Sequence, residues 1–411
     1  MFNRRLACAF LAFAMWANSA IAQTGKSDPR LESFDRLMES FVKDNQVPGA
    51  ALAVAKDGRL IYARGFGHAD ERQKLPVEPT TRFRIASVSK PITAAAILKL
   101  IEQGKFKLDD PVRPLLGISP RKDEDPRWAK VTVRQCLQHT GGWDRSASFD
   151  PMFRPIVISK KLGTKAPASS EAVVRYMLQQ PFDFEPGRKY AYSNFGYCVL
   201  GRIIEHSTGK TYEEYVREEI LKPIEITSMA IGKTLKKSPG ETEYFDAKKR
   251  TALSVFEPGK MVPLAYGAWH LEAMDAHGGW IASAPDLVRF AVDFNNPEKS
   301  RLLRRESISA MFARPDRLEP TKDGKPSPVY YGCGWQIREA GASKNTWHTG
   351  SLDGTASILV RRHDGLTWAV LFNAKENAKG EYLAGKIDPL VHRAADEVRE
   401  WPTGNLFPEP R

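Results

Sequence analysis

Residues 83–103 read FRIASVSKPITAAAILKLIEQ. From Pro91 to Gln103 it is rich in Ala, Ile and Leu, which predicts a helix that buries Ala94, Ala95, Ile97 and Leu98. Pro91 lies near the helix start, where a missing N–H costs least. Ser87 then stands at the helix N-terminus, whose backbone donors favour developing negative charge. Ser87 and Lys90, three residues apart, face the same side of a helix. A hydroxyl is a poor nucleophile without a nearby base. An amine can be that base if desolvation or cationic neighbours lower its pKa.

The Ser-x-x-Lys pattern alone decides little, because it also begins at Ser40, Ser119 and Ser207. Ser40 falls inside an amphipathic helical pattern, Ser119 precedes a proline in a charged loop, and Ser207 sits in a helix-ending Ser-Thr-Gly turn. Ser87 is singled out because it follows Phe83-Arg84-Ile85-Ala86 and opens an apolar helix.

Upstream, Phe34, Leu37, Met38, Phe41 and Val42 recur at helical spacing until Pro48 and Gly49. Ala50 to Ala55 and Leu60 to Gly65 are β-type runs about Asp57-Gly58, a strong hairpin signal. Downstream, helices are predicted over 171–177, 195–206 and 212–220, with irregular polar stretches over 162–170 and 233–249. Strand character returns at 335–338, 355–362 and 366–372, the last two joined by His363-Asp364-Gly365. A final helix over 382–398 repeats Leu383, Ile387, Leu390, Val391, Ala394 and Val398. Strands near both ends with helices between them predict an α+β fold. One antiparallel sheet, built from both termini and flanked by helices, carries a mostly helical second lobe. The sheet lobe is assigned to 23–86 and 275–400, the helical lobe to 87–274, and a tail to 401–411.

Two further motifs accompany Ser87-Val88-Ser89-Lys90. Tyr192-Ser193-Asn194 pairs a phenol that can relay a proton with an amide that can hold a substrate carbonyl and contact the lysine. Read structurally, the same residues are good turn chemistry ahead of a helix. His348-Thr349-Gly350, followed by Ser351, lies at the end of an apparent strand beside Trp347, and His139-Thr140-Gly141 repeats the pattern. The order is the informative part: Tyr192 follows Ser87 by 105 residues, and His348 follows Tyr192 by another 156.

With these motifs in this order, the chain resembles the serine β-lactamase-like hydrolases, the group of class C β-lactamases, penicillin-binding proteins, DD-peptidases and esterases. The likeness extends to Cys136-Leu137-Gln138-His139-Thr140-Gly141-Gly142, to Glu185-Pro186-Gly187 and to Gly278-Gly279-Trp280-Ile281-Ala282-Ser283, spanning roughly residues 34–373. The resemblance implies a β-lactamase/transpeptidase-like fold and an acyl-enzyme serine hydrolase. It implies Ser87 as nucleophile, Lys90 as the group that accepts its proton or supports the base, and Tyr192 as proton shuttle. Asn194 would orient substrate and lysine, and His348, Thr349 and Gly350 would form the substrate strand. The backbone N–H groups of Ser87 and Ser351 would form the oxyanion hole. β-Lactamases of the group usually carry lysine where His348 stands. A histidine is mostly neutral near pH 7, so weak or no β-lactamase activity is expected. The expected substrates are carboxylesters, small amides or D-amino-acid peptides. Efficient β-lactam hydrolysis is one alternative reading, and a non-catalytic envelope ligand-binding protein is another.

Composition bounds the rest. Asn3-Arg4-Arg5, the apolar run Leu6 to Ala17 and Ala20-Ile21-Ala22 lay out a secretory signal peptide over 1–22, so export to a periplasm or beyond is expected. No later segment is long and apolar enough to span a membrane. The net charge of +12 is scattered, and no nucleic-acid motif accompanies it. Cys136, Cys198 and Cys333 form no disulfide framework, and no zinc spacing occurs; Cys136 and Cys198 read as small buried residues. No metal or cofactor is implied. Trp143 and Trp280 are candidates either for the cleft wall or for the core.

Overall fold

The computed structural model describes residues 21–119, 122–316 and 327–407. Residues 1–20 of the expected leader lie outside the described residues. Among the described residues the main sheet has nine antiparallel strands, eight of them along one path: β1 (Gln23–Thr24), β2 (Gly49–Lys56), β3 (Arg59–Asp70), β4 (Val329–Tyr331), β5 (Gln336–Ala340), β6 (Ser343–Leu352), β7 (Thr355–Arg361) and β8 (Leu366–Phe372). They are ordered β1-β3-β2-β8-β7-β6-β5-β4, with the short Leu75–Pro76 strand on β3 off that path. The N-terminal hairpin and the C-terminal strands therefore join at β2–β8, where Val54 faces Trp368 and Leu52 faces Val370. Asp57 and Gly58 both take positive φ, 51° and 80°, as the two-residue hairpin turn between β2 and β3 requires.

Both faces of the sheet are covered, which is why β2 and β8 read as unbroken apolar runs instead of alternating. On one face Leu52, Val54, Ile358, Trp368 and Val370 pack under helices α1 (Glu32–Asp44) and α5 (Leu383–Asp396). On the other, Ala51, Ala53, Leu359, Ala369 and Leu371 meet α2 (Ser89–Glu102) and α4 (Ala284–Val292) in the larger core. Helix α3 (Asn194–Thr208) belongs to that same core. Helix α2 is buried on every side from Ser89 to Leu98. That explains its lack of an amphipathic pattern: it runs through the middle of the molecule. Cys136, Cys198 and Cys333 are buried free thiols.

Two details position the later site. The segment ahead of α2 is held by the sheet, since Thr355 Oγ1 donates to the Arg84 carbonyl and Ser357 Oγ to the Ile85 carbonyl, each at 2.7 Å. Arg84 itself is wholly buried. Its guanidinium lies 4.3 Å from the Tyr244 ring centroid, 5.7 Å from Tyr266 and 5.3 Å from Trp269. It donates to the carbonyls of Ala265, Lys233 and Thr234, and Glu241 Oε1 lies 3.5 Å from its Nε. The irregular stretch 233–249 is thus wrapped around one cation.

The His348 motif does not end its strand. Strand β6 runs on to Leu352, because Gly350, Ser351 and Leu352 keep pairing with Ser357, Ala356 and Thr355 of β7. Gly350 is required there by close approach: a Cβ would lie 2.1 Å from the Ile85 carbonyl oxygen and 2.2 Å from Ser357 Oγ. Gly350→Ala is expected to push β6 off the Ser87 segment, costing about 1–3 kcal/mol. A chemical denaturation curve checks this, and an unmoved midpoint would contradict it.

Candidate active site

Ser87 sits in a 3₁₀ turn, Ala86–Val88, that leads into α2 at Ser89. The residue before it, Ala86, has φ 46°, a left-handed conformation uncommon outside glycine. Such backbone costs on the order of 1–3 kcal/mol and persists only where its surroundings impose it. Here β7 imposes it through the Thr355 and Ser357 hydroxyls.

Lys90, one turn along, is fully buried, and its Nζ has three oxygen partners. Ser87 Oγ lies at 3.1 Å, Asn194 Oδ1 at 2.8 Å and the His277 carbonyl at 3.0 Å. Rings of Tyr192 and Tyr197 flank it, their centroids 4.7 and 5.6 Å from Nζ. Burial pushes the amine well below the ordinary lysine range; Asp150 opposes this and Arg145 adds to it.

The turn reading of Tyr192-Ser193-Asn194 holds in the geometry, and Asn194 meets Lys90. Ser193 is the N-cap of α3, accepting from Gly196 N at 3.3 Å, and Gly209 ends the helix at φ 69°. Capping orients the first helical residue, Asn194, toward Lys90, and leaves Tyr192 on the approach to Ser87. Burial raises the Tyr192 phenol above its ordinary value, and a hydrogen bond with Ser87 draws it back.

Across the cleft, His348 is buried with Nδ1 2.7 Å from the Thr349 carbonyl and Nε2 2.8 Å from Tyr331 Oη. A carbonyl only accepts, so Nδ1 carries the hydrogen and Tyr331 donates to Nε2. The ring is neutral: burial, with Lys90 nearby, pushes its pKa down to about 3. Thr349 differs from expectation. It pairs with Ile358, which belongs to the α1/α5 face, so strand alternation turns its side chain away from the cleft. Its side chain meets Tyr382 there, and Tyr382 Oη also donates to the Gly350 carbonyl.

The second His-Thr-Gly supports the first motifs. His139, at φ 59°, accepts from Ser193 N through Nδ1 at 3.2 Å and lies 4.3 Å from the Tyr192 ring centroid. Asp150, Arg145, His277 and Tyr331 are site residues that the sequence reading did not single out. Asp150 is recognisable in sequence only as an Asp-Pro turn, where it caps a short helix at Met152. Nothing in its spacing places it beside Lys90. Trp143, Arg145, Asp150 and Asn194 line a cavity of about 130 Å³. Trp143 is also packed between Trp128 and Phe195, whereas Trp280 is wholly core. Among the described residues no group of three His, Cys, Asp or Glu side chains could hold a metal ion.

The family model described as Beta-lactamase matches residues 34–391. The chain belongs to the beta-lactamase family. Protein flp of Staphylococcus aureus strain N315 is 24% identical over 371 residues, covering 90% of this chain and 67% of the relative. The octameric penicillin-binding protein homologue from Pyrococcus abyssi superimposes with a TM-score of 0.65 at 25% identity, covering 90% of this chain and 78% of that one. The D-amino acid amidase of Ochrobactrum anthropi SV3 gives a TM-score of 0.69 at 22% identity, over 90% of this chain and 98% of that one. This beta-lactamase-family fold is an α+β sheet with helices on both faces, as the sequence leads one to expect.

Proposed function

We propose that the protein is a serine hydrolase that cleaves an ester or small amide through an acyl-enzyme on Ser87. The observation that carries this reading is the set of partners around Lys90. A neutral amine has two N–H donors and one lone pair. Asn194 Oδ1 and the His277 carbonyl can only accept, so they take the two hydrogens. The lone pair is left facing Ser87 Oγ at 3.1 Å, within reach of its proton.

The reaction then follows. Lys90 takes the Ser87 proton as Oγ attacks the substrate carbonyl. The backbone N–H groups of Ser87 and Ser351 hold the oxyanion; such donors contribute about 10²–10³ each. Tyr192 relays the proton taken up by Lys90 to the leaving alcohol or amine, so that both side chains end neutral, and the C–O or C–N bond breaks. Water repeats the sequence on the acyl-enzyme, releasing the acid and restoring the serine.

A neutral His348 supports esters and amides without a required carboxylate over β-lactams, because β6 presents no cation there. Among amides, the name of the Ochrobactrum relative favours D-amino-acid substrates.

Covalent labelling with a fluorophosphonate tests the reading. A single adduct on Ser87 is expected, forming more slowly as pH falls, because protonation of Lys90 removes the base. A rate flat from pH 5 to 9 would contradict Lys90 as base, and absence of any adduct would favour a non-catalytic binder.

A further inference from the structure

Asp150 enters none of the three motifs, yet it stands directly behind Asn194. Its Oδ1 accepts from Met152 N at 3.1 Å, and its Oδ2 accepts from Asn194 Nδ2 at 2.7 Å. Asn194 Oδ1 in turn accepts from Lys90 at 2.8 Å. An asparagine amide can be turned end for end with little change in shape, so something must choose which end meets the lysine. A carboxylate only accepts, and it therefore claims the NH₂ end. The carbonyl end is left for Lys90.

We propose that Asp150 is a positioning residue: it fixes Asn194 carbonyl-first against Lys90 and so aims the lysine lone pair at Ser87. This rests on the acyl-enzyme reading and adds the group that orients its base. Were Asn194 reversed, its NH₂ would face the Lys90 N–H, and the amine would have to turn its lone pair away from Ser87. The carboxylate also contributes charge. Lys90 is faced by Asp150 and Arg145, by His139 and His348, by His277 of the short helix Asp275–Gly278, and by the Tyr192 and Tyr197 rings. Asp150 is the anion in that set. Burial raises its own pKa, and its bonds with Asn194 and Met152, then Arg145 and Lys90, oppose that rise.

The isosteric variant Asp150→Asn is the sharpest test. The oxygen facing Met152 N must remain an acceptor, so the new NH₂ faces Asn194 and forces it to reverse. We expect kcat for a p-nitrophenyl ester to fall about 10²-fold, the scale of a small misplacement at a reacting centre. The exchange variant D150N/N194D restores donor to acceptor at both contacts. It is expected to recover roughly tenfold over the weaker single variant, a non-additivity that a merely structural role would not produce. Wild-type kcat in D150N, or an exchange variant no better than the weaker single variant, would overturn the proposal.

A readout independent of turnover separates this from failure of the hydrolase reading. In protein labelled with ¹³Cε-lysine, the Lys90 signal is assigned by its absence from Lys90→Met. Its titration midpoint should move to lower pH in D150N, because an anion is lost and a donor turned toward the amine. An unmoved midpoint overturns the proposal even if no substrate is hydrolysed. A moved midpoint with no Ser87-dependent hydrolysis would retain Asp150's role and reject the acyl-enzyme.

Discussion

Ser87→Ala protein is expected to hydrolyse a short-chain p-nitrophenyl ester at background rate, a loss of roughly 10³–10⁶. No substitute is at hand. Ser89 has its hydroxyl buried 3.4 Å from Trp280 N, and Thr93 Oγ1 is committed to the Ala276 carbonyl and Tyr212 Oη at 2.6 Å each. The substitution removes one oxygen and leaves the left-handed Ala86 and its β7 supports in place, so the fold should persist. Steady-state rates of the two proteins, with melting curves alongside, decide the matter. Retained turnover in the variant would remove Ser87 from the chemistry of that substrate.

Arg84→Met is expected to cost about 3–5 kcal/mol of stability, the penalty for breaking a buried ion pair on one side. Glu241 is as fully buried as Arg84 and would keep only its neutral donors, Tyr244 Oη at 2.7 Å and Ser238 N at 2.8 Å. Three carbonyls, of Ala265, Lys233 and Thr234, would lose their donor. Three aromatic rings would close on a thioether in place of a cation. Denaturant unfolding measures the loss, and adding Glu241→Gln should return part of it, since no charge is then stranded. A midpoint within about 0.5 kcal/mol of wild type would mean the cage contributes nothing net.

The sheet and the three motifs were legible because each rests on local chemistry. Asp57-Gly58 permits one tight turn, the apolar runs at 366–372 and 50–55 fit only a covered sheet, and Ser87 with Lys90 needs only helical spacing. What stayed hidden depends on contacts across long stretches of chain. Asp150 and Asn194 are 44 residues apart, and His277 offers Lys90 a backbone carbonyl that no side-chain pattern records. The sequence marks β6 only as an apparent strand near Trp347, since its first residues, Ser343, Lys344 and Asn345, are polar. They are tolerated near the outer part of the sheet, where they pair with Ala340, Glu339 and Arg338. Nothing in the sequence distinguishes Arg84; only the fold supplies its aromatic cage.

The two hydroxyl tethers on the Ser87 segment reach across 271 and 272 residues, from Thr355 to Arg84 and from Ser357 to Ile85. Contacts of such sequence separation form late and slowly, after most loop entropy has been surrendered. A ribosome must therefore release the chain through Ser357 before the serine turn acquires these two braces. An incomplete chain that stops before β7 would hold the Ser-x-x-Lys helix without its brace. The shape of the Ser87 turn thus depends on a strand made some 270 residues after it.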